Sequence, residues 1–224
     1  MVAEKTLTVE DFNLFQERMR DFALFEFIDK QIVPVQGTEP VEASMVAYVL
    51  SPAFDENEIK TTFPMATKIH NRIVSNIHFY LRLVLRNQNY FIYSQGTDIY
   101  VASAEKSYKP DIVLVKKDAE QRENHHILNP VVIFEVLSKS TQAKDKTEKL
   151  DNYQSIPDLE AYILIAQDTC KVTVYERTSV NTWQMQTLTN KTDNFTLKNL
   201  DLQMNLTEIY EEIENPLNPE GGNT

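Results

Sequence analysis

Glycine is scarce in this chain: Gly37, Gly96, Gly221 and Gly222 are the four among 224 residues. Four glycines so placed build neither a G-x-G-x-x-G nor a G-x-x-x-x-G-K-[ST] phosphate loop, and no G-x-S-x-G elbow occurs, so nucleotide-binding and hydrolase-elbow classes fall away. A single cysteine, Cys170, permits no internal disulfide and no cysteine-based zinc site, and it favours a reducing compartment. No apolar run approaches the ~20 residues that span a bilayer, and the polar start MVAEKTLTVEDF lacks the apolar stretch of a signal peptide. The expected location is the cytoplasm, without a membrane partner.

Net charge is the next constraint. At -11 the chain as a whole disfavours a polyanionic partner. The excess is unevenly spread, however. Residues 1–58 carry 12 acids against 4 bases and residues 193–224 carry 7 against 1, whereas residues 59–97 carry 5 bases and no acid. Two acidic ends thus enclose one basic segment.

That segment is also the strongest helical pattern. From Met65 to about Arg86, Ile69, Ile73, Ile77, Leu81 and Val84 recur every three or four positions without interruption by Gly or Pro, while Lys68, Arg72, Arg82 and Arg86 occupy the other faces. Before it, Thr8 to about Gln16 reads as a capped opening helix, and residues 22–28 and 31–35 read as a hairpin turning at Asp29-Lys30. Residues 36–64 read mostly as loop. Seven strand-like runs follow, at 90–93, 99–102, 112–115, 131–137, 161–166, 171–176 and 182–188. A helix over about 143–155 joins the run ending at Leu137 to the one beginning at Ala161, a crossover that predicts an α/β (α+β) fold with a mixed sheet. A last helix over about 207–213 leads into a polar tail. The expected organisation is one domain over 1–214 and a flexible tail over 215–224.

Chemistry concentrates in two acids. Glu135 interrupts Val-Val-Ile-Phe-Glu-Val-Leu, which reads as a strand covered on both faces; a lone carboxylate there costs several kcal/mol unless something compensates it. Asp111 opens the apolar run Ile-Val-Leu-Val directly after Pro110. Two acids on strands of one sheet are what an oxygen-ligating divalent cation requires. Plainer readings stand beside this one: a turn residue for Asp111, a structural ion pair for Glu135, the polar face of a half-covered strand for Glu26, and a core-edge position for His70. Asp145, Lys149 and Tyr153 share one stripe of the crossover helix, where Asp145 and Lys149 read as an ordinary exposed pair. His125 and His126 read as exposed loop residues.

Taken in order, Phe25-Glu-Phe-Ile-Asp-Lys-Gln-Ile-Val33, Ile69-His-Asn-Arg-Ile73, Lys109-Pro-Asp-Ile-Val-Leu-Val115 and Pro130-Val-Val-Ile-Phe-Glu-Val-Leu-Ser-Lys-Ser-Thr141, followed by Asp145, Lys149, Tyr153 and Glu160-Ala-Tyr-Ile-Leu-Ile165, resemble the Uma2 family. This bacterial group is assigned to the PD-(D/E)xK restriction endonuclease-like superfamily. The resemblance implies a mixed β-sheet core flanked by helices, with the N-terminal helix and hairpin added. It implies a metal-dependent endonuclease using Mg²⁺ or Mn²⁺, with a nuclease-fold module that only binds or regulates as the alternative. By the same resemblance Asp111 and Glu135 are the metal acids, with the carbonyl of Val136 as an extra ligand. The superfamily's lysine is usually two residues after the glutamate, where this chain has Leu137. Lys149, carried on the next helix, is the candidate in its place, and Lys139 the runner-up. Glu26, His70, Asp145 and Tyr153 would lie at the rim. The implied partner is nucleic acid, DNA before RNA, held along Lys68, Arg72, Arg82 and Arg86; a homodimer is left open.

Overall fold

Period-two alternation decides which way each strand faces, and in this protein it stacks two sheets against each other. The computed structural model describes residues 6–213 apart from 62, 64, 124, 125 and 139–141. In chain order the helices are α1 (Val9–Met19), α2 (Ala43–Leu50), α3 (Lys68–Val84), α4 (Gln142–Lys146), α5 (Glu148–Gln154) and α6 (Leu206–Ile209). The strands are β1 (Phe25–Ile28), β2 (Gln31–Pro34), β3 (Tyr90–Ser94), β4 (Ile99–Val101), β5 (Lys106–Tyr108), β6 (Ile112–Lys116), β7 (Arg122–Glu123), β8 (His126–Ile127), β9 (Val132–Leu137), β10 (Ala161–Ala166), β11 (Val172–Ser179), β12 (Thr182–Leu188), β13 (Asn194–Leu197) and β14 (Leu202–Asn205).

Among the described residues these strands make a sheet ordered β12-β11-β10-β9-β6-β3, a second ordered β2-β1-β5-β4-β8-β7, and the hairpin β13-β14. The first is mixed, as the crossover helix predicts: β9 and β10 run parallel and its other pairings are antiparallel. One face of it, with Ile112, Leu114, Phe134 and Ile163, packs under Ile73, Ile77 and Leu81 of α3 and the β13-β14 hairpin. The opposite face, with Val113, Ile133, Leu137 and Leu164, packs against α5 and against Ile28, Ile99 and Tyr108 of the second sheet. Beyond the second sheet, Phe12 and Phe15 of α1 and Val46 and Val49 of α2 close over Phe25 and Phe27. Each such side chain gains about 1.5–3 kcal/mol from leaving water.

Several boundaries differ from the sequence reading for identifiable reasons. Thr8 does cap α1, accepting from the Asp11 N–H while Asp11 returns a bond to the Thr8 N–H, and the helix continues to Met19 because that residue completes the buried stripe. Asp29 and Lys30 both take positive φ, the signature of a tight two-residue hairpin turn. The stretch taken as loop contains α2, whose Val46 and Val49 find a core only in the tertiary structure. In α3, Ile69 is partly exposed and His70, one position on, is buried instead. The crossover helix is two helices, broken at Thr147, whose backbone leaves the helical region. The β13-β14 hairpin was missed although Phe195, Leu197, Leu202 and Met204 alternate and are all buried. Arg177 of β11 closes the end of α5 by donating to the carbonyls of Gln154, Ile156 and Leu159.

Candidate active site

Glu26 of β1, Glu135 of β9, Asp145 of α4 and Lys149 of α5 meet between the two sheets, with Asp111, just before β6, beside them. The route by which each arrives follows from the pleat. Phe25 and Phe27 of β1 turn toward α1, so Glu26 turns the other way, onto the central face. Along β9, Val132, Phe134 and Val136 face α3, which turns Ile133, Glu135 and Leu137 toward α5. Asp111 directly precedes β6, whose Ile112 pairs with Phe134 of β9, and it lies close enough to Glu135 to act on its charge. Two carboxylates so placed repel unless cations intervene.

Lys149 is the cation that meets Glu135. Its Nζ lies 2.9 Å from Glu135 Oε1, 3.0 Å from Glu26 Oε1 and 3.2 Å from Asp145 Oδ1. It is 3% exposed, and Asp145 likewise is buried, which corrects the reading of these two as an exposed helix pair. The reason is the break at Thr147: it turns the start of α5 inward, and the Tyr162 hydroxyl donates to the Asp145 carbonyl at 3.1 Å from beneath. Glu26 is fully buried and is part of the cluster, not the polar face of a half-covered strand. It also accepts from Lys144 Nζ at 2.5 Å and from the Lys109 N–H at 3.1 Å. The Tyr153 hydroxyl reaches Glu135 Oε1 at 3.5 Å.

Asp111 is fixed separately. Oδ2 accepts the Val136 N–H at 2.7 Å, and Oδ1 lies 2.8 Å from His70 Nε2. His70 is therefore more than a core-edge histidine, since it orients a carboxylate of the cluster. Lys139 lies outside the described residues, as does His125. His126, read as exposed, is buried and its ring packs near Tyr100, because β8 joins the second sheet.

The electrostatics follow from this crowding. Burial pushes the Glu135 carboxyl well above its ordinary range, with Lys149 opposing and Asp145, Asp111 and Glu26 adding to the rise. Burial also acts upward on Glu26, but Lys149 and Lys144 outweigh it and hold that carboxyl below its usual value. Lys149, although burial acts to lower it, is held well above the ordinary lysine value by Glu135, Glu26 and Asp145. The cluster is thus four acids around the two lysines and His70, with Glu135 the least comfortable of the anions.

The donor chemistry suits a hard divalent cation: oxygen ligands from facing strands, excess negative charge, and a Glu135 whose bonds among the described residues all fall on Oε1. Among the described residues no three His, Cys, Asp or Glu side chains converge closely enough to hold one as they stand, since the Lys149 ammonium is wedged between three of the acids. Clefts of about 890 and 510 Å³ flank the β1-β2 hairpin and α2. The smaller cleft of about 290 Å³ is the relevant one, because Asp111 and His70 line it.

Sequence reasoning did not single out Tyr108 or Asp98, whereas Lys144, one of the lysines it gathers beside the site, does bond Glu26. Tyr108 accepts from Asn152 at 2.6 Å, donates to Glu148 at 2.8 Å and sets its ring 5.7 Å below Lys149 Nζ, pinning α5 at its first turn. Asp98 takes the Lys109 ammonium. The alternation of Lys106, Ser107, Tyr108 and Lys109 was the available signal. On α3, Arg72 pairs with Glu212 at 3.1 Å and Asn76 donates to the carbonyls of Ile209 and Glu211, so the acidic C-terminal segment covers part of the basic helix.

Residues 50–207 match the model of a family, Uma2, described as "Putative restriction endonuclease". "Uncharacterized protein sll1609" of Synechocystis sp. is 30% identical over 186 residues, 82% of this chain and 88% of its own length. "Uncharacterized protein slr1290" of the same organism is 24% identical over 112 residues, half of this chain and 58% of its own. Among solved structures, a "putative nuclease belonging to DUF820" from Anabaena variabilis superposes with a TM-score of 0.58 at 16% identity, covering 83% of this chain and 89% of that one. The fold is shared with that protein, and no helix among the described residues is long and apolar enough to cross a membrane.

Proposed function

The chain belongs to the Uma2 family, and from that premise we propose that it is a divalent-metal-dependent endonuclease, hydrolysing phosphodiester bonds of nucleic acid, with DNA favoured. The observation that carries the reading is that Asp111, at the start of β6, takes the N–H of Val136, the residue next to Glu135 on β9, while Lys149 lies at hydrogen-bond distance from Glu135.

Asp111 and Glu135, with the Val136 carbonyl, would hold the cation, which when bound supplies Lewis acidity to a phosphate oxygen and a water of lowered pKa. Everything else falls to the protein. The Val136 N–H and His70 hold Asp111 in one orientation from two sides, so its carboxylate is organised before a cation arrives. Lys149 is held above the ordinary lysine value by three carboxylates, which favours its charged form. Its role is a fixed positive charge beside the scissile phosphate, where it stabilises negative charge developing in the transition state. Glu26 and Lys144 keep that ammonium aimed at Glu135.

Cleavage of DNA with Mg²⁺ or Mn²⁺ tests this. Glu135→Ala is expected to lower the rate by at least about 10²-fold, the scale of losing a principal charge-stabilising group. Equal rates in the two proteins would remove the proposal. The silent-module reading keeps one observation in its favour, that no three acidic or histidine side chains already converge on a cation position among the described residues. It expects no metal-dependent cutting at all.

A further inference from the structure

The cleft that reaches Asp111 and His70 has a composition unlike that of a duplex-binding groove. Its walls include Leu24 and Met65, which are 37% and 84% exposed, and the amides of Asn71 and Gln95, which are 3.4 Å apart. Gly96 at the rim leaves the wall open: a side chain there would meet only Leu24, and its φ of +81° disfavours one. The cleft's basic members are few: Arg20 lies exposed beside Asp21, and the Lys109 ammonium bonds Asp98.

Duplex nucleic acid is held mainly through its regular array of phosphates, by Lys and Arg. An unpaired base is held by an apolar or aromatic surface on its face and by hydrogen-bonding groups on its edge. The cleft offers the second set. Its volume, about 290 Å³, lies just below the ~300–1,000 Å³ typical of small-ligand sites, which suits one small unit such as a single base. Asp111, at its end, is 7% exposed, so a phosphate must come down to it along a strand free to bend.

We propose that this cleft receives one unpaired nucleotide adjoining the scissile phosphate, so that the substrate is a single-stranded segment of nucleic acid and not a continuous duplex. The inference rests on the nuclease reading for its position beside the reacting phosphate, but base capture in the cleft is separable from cutting. Asn71 is exposed on α3, so Asn71→Trp fills the cleft without burdening the core.

The experiment measures anisotropy of a fluorescein-labelled 12-nucleotide DNA strand and of its blunt duplex in EDTA, then cleavage of both with Mn²⁺. Binding of the single strand at least tenfold tighter than the duplex, with that preference lost in Asn71→Trp, is the expected result. Duplex bound as tightly as single strand, no binding of either, or no effect of Asn71→Trp would overturn the inference. Glu135-dependent cutting of duplex with no single-strand preference would overturn it while sparing the nuclease reading. Asn71-dependent capture of single strand without any cutting would do the reverse.

Discussion

Lys149 concentrates most of what is unusual here into one atom. A buried cation among three acids is a fragile arrangement: breaking a buried pair by removing one partner costs about 3–5 kcal/mol, since the remaining charges lose their compensation. Lys149→Met is expected to lower stability by that amount in urea titration. An unchanged midpoint would mean that the acids take up protons at no cost. The pH dependence has a definite sign for Glu26. Its folded-state carboxyl titrates below the unfolded value near 4.5, so its contribution is present above that value and is lost as pH falls through the lower, folded one. Glu26→Gln should therefore flatten the acid limb of a stability profile below about pH 4.5, read by fluorescence-detected unfolding. Glu135 contributes with the opposite sign, since its folded carboxyl is raised. Legibility at this scale was uneven. The need of Glu135 for a partner could be argued from its apolar neighbours, because desolvation is a property of the residue and its surroundings in sequence. That Asp145 and Lys149 are buried could not, because their i,i+4 spacing is the same on a wet helix face as on a dry one.

At the scale of elements, α5 is short, and three attachments position it. Tyr108 and Lys106 hold Glu148 at its start, and the Arg177 fork takes carbonyls at its end. A lysine cannot reproduce a planar fork that meets several carbonyls at once. Arg177→Lys is expected to cost about 1–3 kcal/mol, the penalty for leaving such groups without partners. Hydrogen exchange should speed up at the amides of Ser155 and Ile156. Equal exchange in both proteins would show that α5 is held by its apolar contacts alone. The long helix α3 and the strands β6, β9 and β10 were readable because their apolar patterns are long enough to declare a period. The helix α2, the strand β5 and the β13-β14 hairpin were not, being eight, three and four residues long. Such pieces hold their shape only because a neighbour covers them.

For the molecule as a whole, the net charge of -11 turns out to be partly internal business. Acidic residues near the C-terminus close on the basic helix through Arg72 and Glu212, and four acids sit in the central cluster. A divalent cation bound only to the native state raises stability by mass action, about 2.7 kcal/mol at a hundredfold excess over Kd. Thermal melts in Mn²⁺ should therefore shift upward, and Asp111→Asn should abolish the shift. A shift of equal size in that variant would place the cation elsewhere. The Glu26 to Lys149 contact carries one last consequence, and it concerns time. It joins residues 123 positions apart, and contacts of such separation are closed late in folding because the chain entropy must be given up first. A chain in which residues 26 and 149 have not yet met lacks this closure, so the cluster is complete only in molecules that have finished folding.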